Sequence, residues 1–115
     1  MDLFHRSIMS EPIGTHLLPM AYWHDNEPAA SFIYFAEERA RAMKWSSNRM
    51  CGYVLYRIDS ANVAGLEQHH TLGFWKTATP VPFADLEVLE RRDNPATLPN
   101  LPEMLRARAE EHGTL

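Results

Sequence analysis

Three residues far apart in the sequence, His5, Tyr34 and Glu67, carry the side chains with the widest chemical use. His5 stands in "LFHRS", an apolar, strand-like run with a hydroxyl two residues on. Strand side chains alternate with period two, so His5 and Ser7 share a face and can act on one ligand. Tyr34 stands in "SFIYFAEERARAMKW", where an apolar run passes into an alanine-rich charged segment without glycine or proline. An aromatic ring at that junction can stack, and its hydroxyl can donate. Glu67, in "GLEQHH", offers a carboxylate that is either solvated or a base and cation stabiliser. Taken singly, each residue also fits a structural role, because strand histidines and strand-end tyrosines commonly belong to the core or its rim.

Other reactive residues offer less. His69 and His70 are adjacent and would face opposite ways on a strand, while His16 and His24 lack the i,i+4 spacing of helical zinc ligands, so no metal site is expected. Cys51 is the single cysteine, excludes an internal disulfide, and is expected to be an inert thiol. The three tryptophans, Trp23, Trp45 and Trp75, are expected to fill core.

The elements that must position these groups are those of one α+β domain, as 115 residues allow one core and not two. Strands are expected over "LFHRS", part of "THLLPMAYW", "SFIYF" and "ADLEVLERR". The strongest strand is "GYVLYRID", with Tyr53, Leu55 and Arg57 on one face and Val54, Tyr56 and Ile58 on the other. "AEERARAMKWS" reads as a helix resting Ala36, Ala40 and Met43 on a sheet, with Glu37 and Arg41 paired outside. "SANVAGLEQHHTLG" is loop or a helical turn, and "FWKTATPVPF" an interrupted extended segment. Residues 93–115 form a proline-rich spacer and a C-terminal helix after a domain over residues 1–92. Strands and helices do not alternate regularly, which favours a mostly antiparallel sheet. A formal charge of -4 argues against a general phosphate-gripping nucleic-acid binder. No run approaches a membrane span and "MDLFHRSIM" lacks an apolar signal centre, so a cytoplasmic location is expected.

In order, these pieces resemble the histidine and tyrosine type of ADP-ribosyltransferase, the family of the poly(ADP-ribose) polymerase catalytic domains and the small rifampin ADP-ribosyltransferases. Leu3, Phe4, His5 and Ser7 match its first strand motif, and Ile33, Tyr34, Phe35, Ala36 and Ala40 its "IYFA" strand with a small residue in the next helix. "GYVLYRID" is similar to the glycine-led strand of the small members, and "TPVPFADLEVLE" to their closing proline-bearing strand. The resemblance implies an ADP-ribosyltransferase-like fold, with two small, mostly antiparallel sheets forming an NAD cleft flanked by helices.

It further implies transfer of ADP-ribose from NAD to a protein, nucleic-acid or small-molecule acceptor. By position, His5 would hydrogen-bond a ribose hydroxyl, Tyr34 would stack on nicotinamide, and Ser7 and Ala40 would line the cofactor site. Arg6 stands at the cofactor position where the family has glycine, and a positive φ there would be costly for arginine. Glu67 takes the third, acidic role, because the small members carry their acid in the corresponding loop; no acid stands at Gly73 to Trp75, where polymerase-like members would place it. Two other functions fit the same residues: a binding or regulatory module that keeps the fold without catalysis, and a toxin-like NAD glycohydrolase that uses water as acceptor.

Overall fold

The computed structural model describes residues 1–7, 14–19, 32–45, 53–92, 101–111 and 113. Its strands are, in chain order, β1 (Asp2–Ser7), β2 (His16–Leu17), β3 (Ile33–Ala36), β4 (Tyr53–Asp59), β5 (Glu67–Gln68), β6 (Phe74–Thr77), β7 (Val81–Pro82) and β8 (Glu87–Arg92). Two α-helices, α1 (Arg39–Trp45) and α2 (Leu101–Glu111), accompany them. This is a small α+β domain built on antiparallel sheet. Six strands form one sheet in the order β5-β6-β3-β1-β4-β8, and β2 and β7 form a separate two-stranded ribbon. Among the described residues, the two small, mostly antiparallel sheets expected from the sequence take the form of one six-stranded sheet and one two-stranded ribbon. Cys51, Trp23, His24 and the spacer over residues 93–100 lie outside the described residues.

Alternation along β4 fills both sides of the broad sheet. Val54, Tyr56 and Ile58 join Leu3, Ile33 and Phe35 in the larger core, over which Leu17, Val81, Val63 and Leu86 close. Leu55 points the other way, into a smaller core with Ala36, Ala42 and Phe74, flanked by Phe4, Met43 and Leu89. A strand buried on both faces needs apolar side chains at successive positions, which is what "YVLY" supplies. Trp75 packs against the larger core, as expected of it.

The helix after β3 is shorter than expected and turned differently. It begins only after Glu37 and Glu38, with the Glu38 carbonyl accepting from Arg41 N–H and Ala42 N–H, both at 3.1 Å. Two acids just before the first turn suit the positive end of the helix dipole. Ala42 and Met43 rest on the sheet, while Ala40 is exposed; Ala36 belongs to β3 and contributes to the core from there. Arg41, expected to pair with Glu37, donates instead to the Leu72 carbonyl at 2.9 Å and lies over the Phe74 ring at 4.3 Å. That approach requires glycine at 73: its φ is +86°, and a Cβ there would sit 2.5 Å from an Arg41 guanidinium nitrogen.

The two sheet edges differ. β5 has only two residues, in the segment expected to be loop, whereas β8 is a six-residue strand interrupted by a register shift opposite Leu55 and Tyr56. Two single turns of 3-10 helix, Ser60–Asn62 and Phe83–Asp85, connect the strands on this half of the chain.

Leu55→Ala is expected to lower stability by about 2–5 kcal/mol, since it empties a fully buried site on an interior strand of the sheet. Val88→Thr, at an exposed position of β8, should change it by less than about 0.5 kcal/mol. Gly73→Ala should cost about 1–2 kcal/mol through its left-handed φ, and the new methyl should also push the Arg41 guanidinium off the Leu72 carbonyl. Urea denaturation of the three variants checks the stability changes, and a structure of Gly73→Ala checks the Arg41 contact.

Candidate functional site

The candidate site lies where β1 stops pairing with β3. β1 is matched to β4 at six positions from Asp2↔Asp59 to Ser7↔Val54, but to β3 only at Phe4↔Ala36. Beyond Phe4 the backbone partners are replaced by a side chain. His5 Nδ1 lies 2.7 Å from the Tyr34 carbonyl oxygen, and because a carbonyl only accepts, Nδ1 carries the proton and donates. In the neutral ring Nε2 is then an acceptor. It is closed off from solvent and has no hydrogen-bond partner among the described residues. Burial pushes the His5 pKa below the ordinary imidazole value of 6.5, opposed by the bond to Tyr34, so the neutral tautomer is the favoured one. The ring packs against Phe35, centroids 5.8 Å apart, and Ser7 is buried on the same face.

Tyr34 leaves the sheet on the other side. Its neighbours Ile33 and Phe35 belong to the larger core, and its register partner is Lys76, one residue on from the core-packed Trp75. Its ring meets His69 edge-on at 5.6 Å and Phe32 at 6.3 Å. Thus β3 brings Tyr34 to His5 through its backbone carbonyl, while the two rings lie on opposite faces. The arrangement in which both rings flank one nicotinamide riboside is not present among the described residues.

Arg6 and Glu67 share the face of Tyr34. Arg6 sits in ordinary strand pairing opposite Leu55, and no non-glycine residue among those described has positive φ, so the backbone strain expected there does not arise. Its guanidinium donates to the Met43 carbonyl at 2.9 Å and lies 4.4 Å above the Tyr53 ring. Glu67 is exposed, opposite Lys76, which is in turn opposite Tyr34. That row puts the carboxylate two strand spacings from Tyr34, about 10 Å, and across the sheet from His5. Ala40, on the exposed side of α1, joins none of these groups.

His69 and His70 form an unforeseen cluster. They follow β5 in a turn where side chains need not alternate, and their rings stack with centroids 3.9 Å apart. The backbone N–H of Thr71 donates to His69 Nδ1 at 3.1 Å, which leaves the proton of the neutral ring on Nε2. Burial first, and then His70 and Lys76, hold the His69 pKa below the usual value. No spacing signal in "EQHHTLG" marks this packing, because it arises from the turn. Among the described residues no three His, Cys, Asp or Glu side chains are grouped to hold a metal ion, and no helix is long and apolar enough to cross a membrane.

The desolvated, half-buried His5 ring makes stability depend on pH. Its folded pKa lies below its unfolded one, so its contribution is present in full above about 6.5 and is lost as the pH falls from there through the lowered folded value. His69 acts in the same direction. His5→Asn, whose amide can still donate to Tyr34, should therefore lose less stability than the wild type between pH 7.5 and 5.5, without becoming flat. Denaturation midpoints at the two pH values measure the difference.

Set against known proteins, the chain matches no family model, and no curated protein and no solved structure matches it either.

Proposed function

We propose that the chain binds NAD where β1 and β3 part and transfers its ADP-ribose group to an acceptor. The observation that carries this reading is His5, held by the Tyr34 carbonyl in the tautomer that presents Nε2 as an acceptor in an enclosed position. An enclosed acceptor lacking a donor among the described residues suits a ligand hydroxyl, and a ribose supplies one. Splitting the nicotinamide bond then develops positive charge on the ribose, which a nearby carboxylate would stabilise. The sequence resemblance supplies NAD as the dinucleotide; Tyr34, its stacking ring by position, lies on the opposite face of the sheet from His5 and would have to swing across the parting to meet the same ligand.

A second reading, a module that holds the dinucleotide without splitting it, is favoured by Glu67. Its carboxylate is exposed and lies across the sheet from His5, where it cannot serve a ribose bound to Nε2 without rearrangement. The two readings share the NAD site and differ in whether nicotinamide is released.

Calorimetry with NAD, followed by measurement of free nicotinamide, separates them. Binding with release supports transfer or hydrolysis, and added protein, nucleic-acid and small-molecule acceptors then divide those two. Binding without release leaves the module. No binding at all overturns both. In a binding protein, His5→Asn should weaken NAD about tenfold or more by removing the acceptor from the Nε2 position; where the strands rearrange so that Tyr34 reaches the ligand, Tyr34→Ala should weaken it more than Tyr34→Phe, since ring contacts are worth about 0.5–1.5 kcal/mol beyond area. If turnover is present and Glu67 serves it, Glu67→Gln should bind NAD normally and lose on the order of 10² to 10⁴ in rate.

A further inference from the structure

The two residues that follow the last β1–β3 pair are His5 and Arg6, and they leave β1 on opposite faces. Each donates to a backbone carbonyl of the segment that runs through β3 into α1: His5 to Tyr34 at 2.7 Å and Arg6 to Met43 at 2.9 Å. Each side of the sheet thus contributes a side-chain bond that holds the separating strands. Met43 lies in the last turn of α1, whose carbonyls have no partner within the helix and form the negative end of its dipole, so a guanidinium is well matched to it.

The Arg6 end of this pair stands on a fixed base. Its guanidinium lies over the Tyr53 ring, the Tyr53 hydroxyl donates to Glu90 in a short hydrogen bond, and Glu90 pairs with Arg39 at 3.1 Å. Arg39 is the first residue of α1 and Met43 is near its last, so the helix is fastened to the sheet at both ends through one connected set of side chains. Through α1, this fastening limits how far β3 can move from β1.

We propose that Arg6 is a positioning residue that fixes the width of the β1–β3 parting and thereby the enclosure and tautomer of His5. The functional meaning of that position rests on the reading of His5 as the ligand contact. The fastening itself does not. Lysine at this position could reach the Met43 carbonyl as a point charge, but it lacks the planar group that both stacks on Tyr53 and directs an N–H. Methionine keeps length and apolar contact without any donor.

Arg6→Met, Arg6→Lys and Arg6→Gly test this when His5 is followed by NMR, reading its ring-nitrogen tautomer and its titration. Tyr56, opposite His5 on β4, is a titratable group beside it; burial raises its pKa above 10, so it stays neutral over the range used. In Arg6→Met the His5 titration midpoint should move up toward 6.5 and the tautomer preference should weaken. Arg6→Lys should fall between Arg6→Met and the wild type. Leu89→Ala, which loosens the same face without touching the Met43 carbonyl, should lower stability and leave the His5 titration in place. Should Arg6→Gly fail to fold, the other two variants decide the matter. Unchanged His5 titration and tautomer in Arg6→Met overturn the proposal, whatever its stability. NAD affinity gives a separate readout, with a loss on the order of tenfold expected in Arg6→Met; a wild type that binds no NAD would defeat the functional reading and leave the titration result to judge Arg6.

Discussion

The molecule depends on β1 being satisfied differently on its two sides. Toward β4 it has a regular ladder of six residue pairs, and toward β3 one pair followed by the His5 bond to the Tyr34 carbonyl. Buried backbone groups need partners, so strands can separate inside a fold only where something else takes over their hydrogen bonds. Here an imidazole does. Among the described residues its own second nitrogen is then the unmatched group, which moves the unsatisfied position from the backbone to a side chain.

This exchange divides the chemistry of the domain between two faces. His5 and Ser7 lie with the larger core, whereas Tyr34, Arg6, Glu67 and the stacked histidines lie on the side of α1. A transferase would need groups from both faces to meet at the parting of β1 and β3, and a binding module would need only the first. The smaller face is also the more heavily charged, with Arg57 bonded to both Asp2 and Glu87 and Arg39 bonded to Glu90. These half-exposed pairs contribute little stability individually. Their geometric effect is greater, because they join β1, β4, β8 and α1.

Much of the fold was legible in local pattern. A run of strand-forming apolar residues marked β1 and β4, β3 ended where the alanine-rich segment began, and the C-terminal helix followed its prolines. The side chains of α1 were harder to orient: Glu37 and Glu38 precede the helix, which shifts the phase and puts Ala42 where Ala40 was expected. β5 escaped notice because two exposed residues carry no periodic signal. Of the site, the order of His5 and Tyr34 was visible, but their relative faces were not. Facing depends on the register between β1 and β3, and the single pair Phe4↔Ala36 that sets it has no counterpart in either segment read alone. Arg6 looked like an obstacle in sequence; its contacts with Met43 and Tyr53 come from elements that meet only in three dimensions.

The strand order also bears on how the chain reaches its native state. The N-terminal strand is interior to the sheet, and its full ladder is with β4, Asp2 opposite Asp59. Only after the chain through Asp59 is available can that ladder close, and the intervening segment must pay its loop entropy first. The β5–β6 hairpin, by contrast, can form from neighbouring residues. Acquisition of structure is therefore governed by distant contacts, and a chain interrupted before Asp59 would leave β1 with an unmatched edge open to association with other chains.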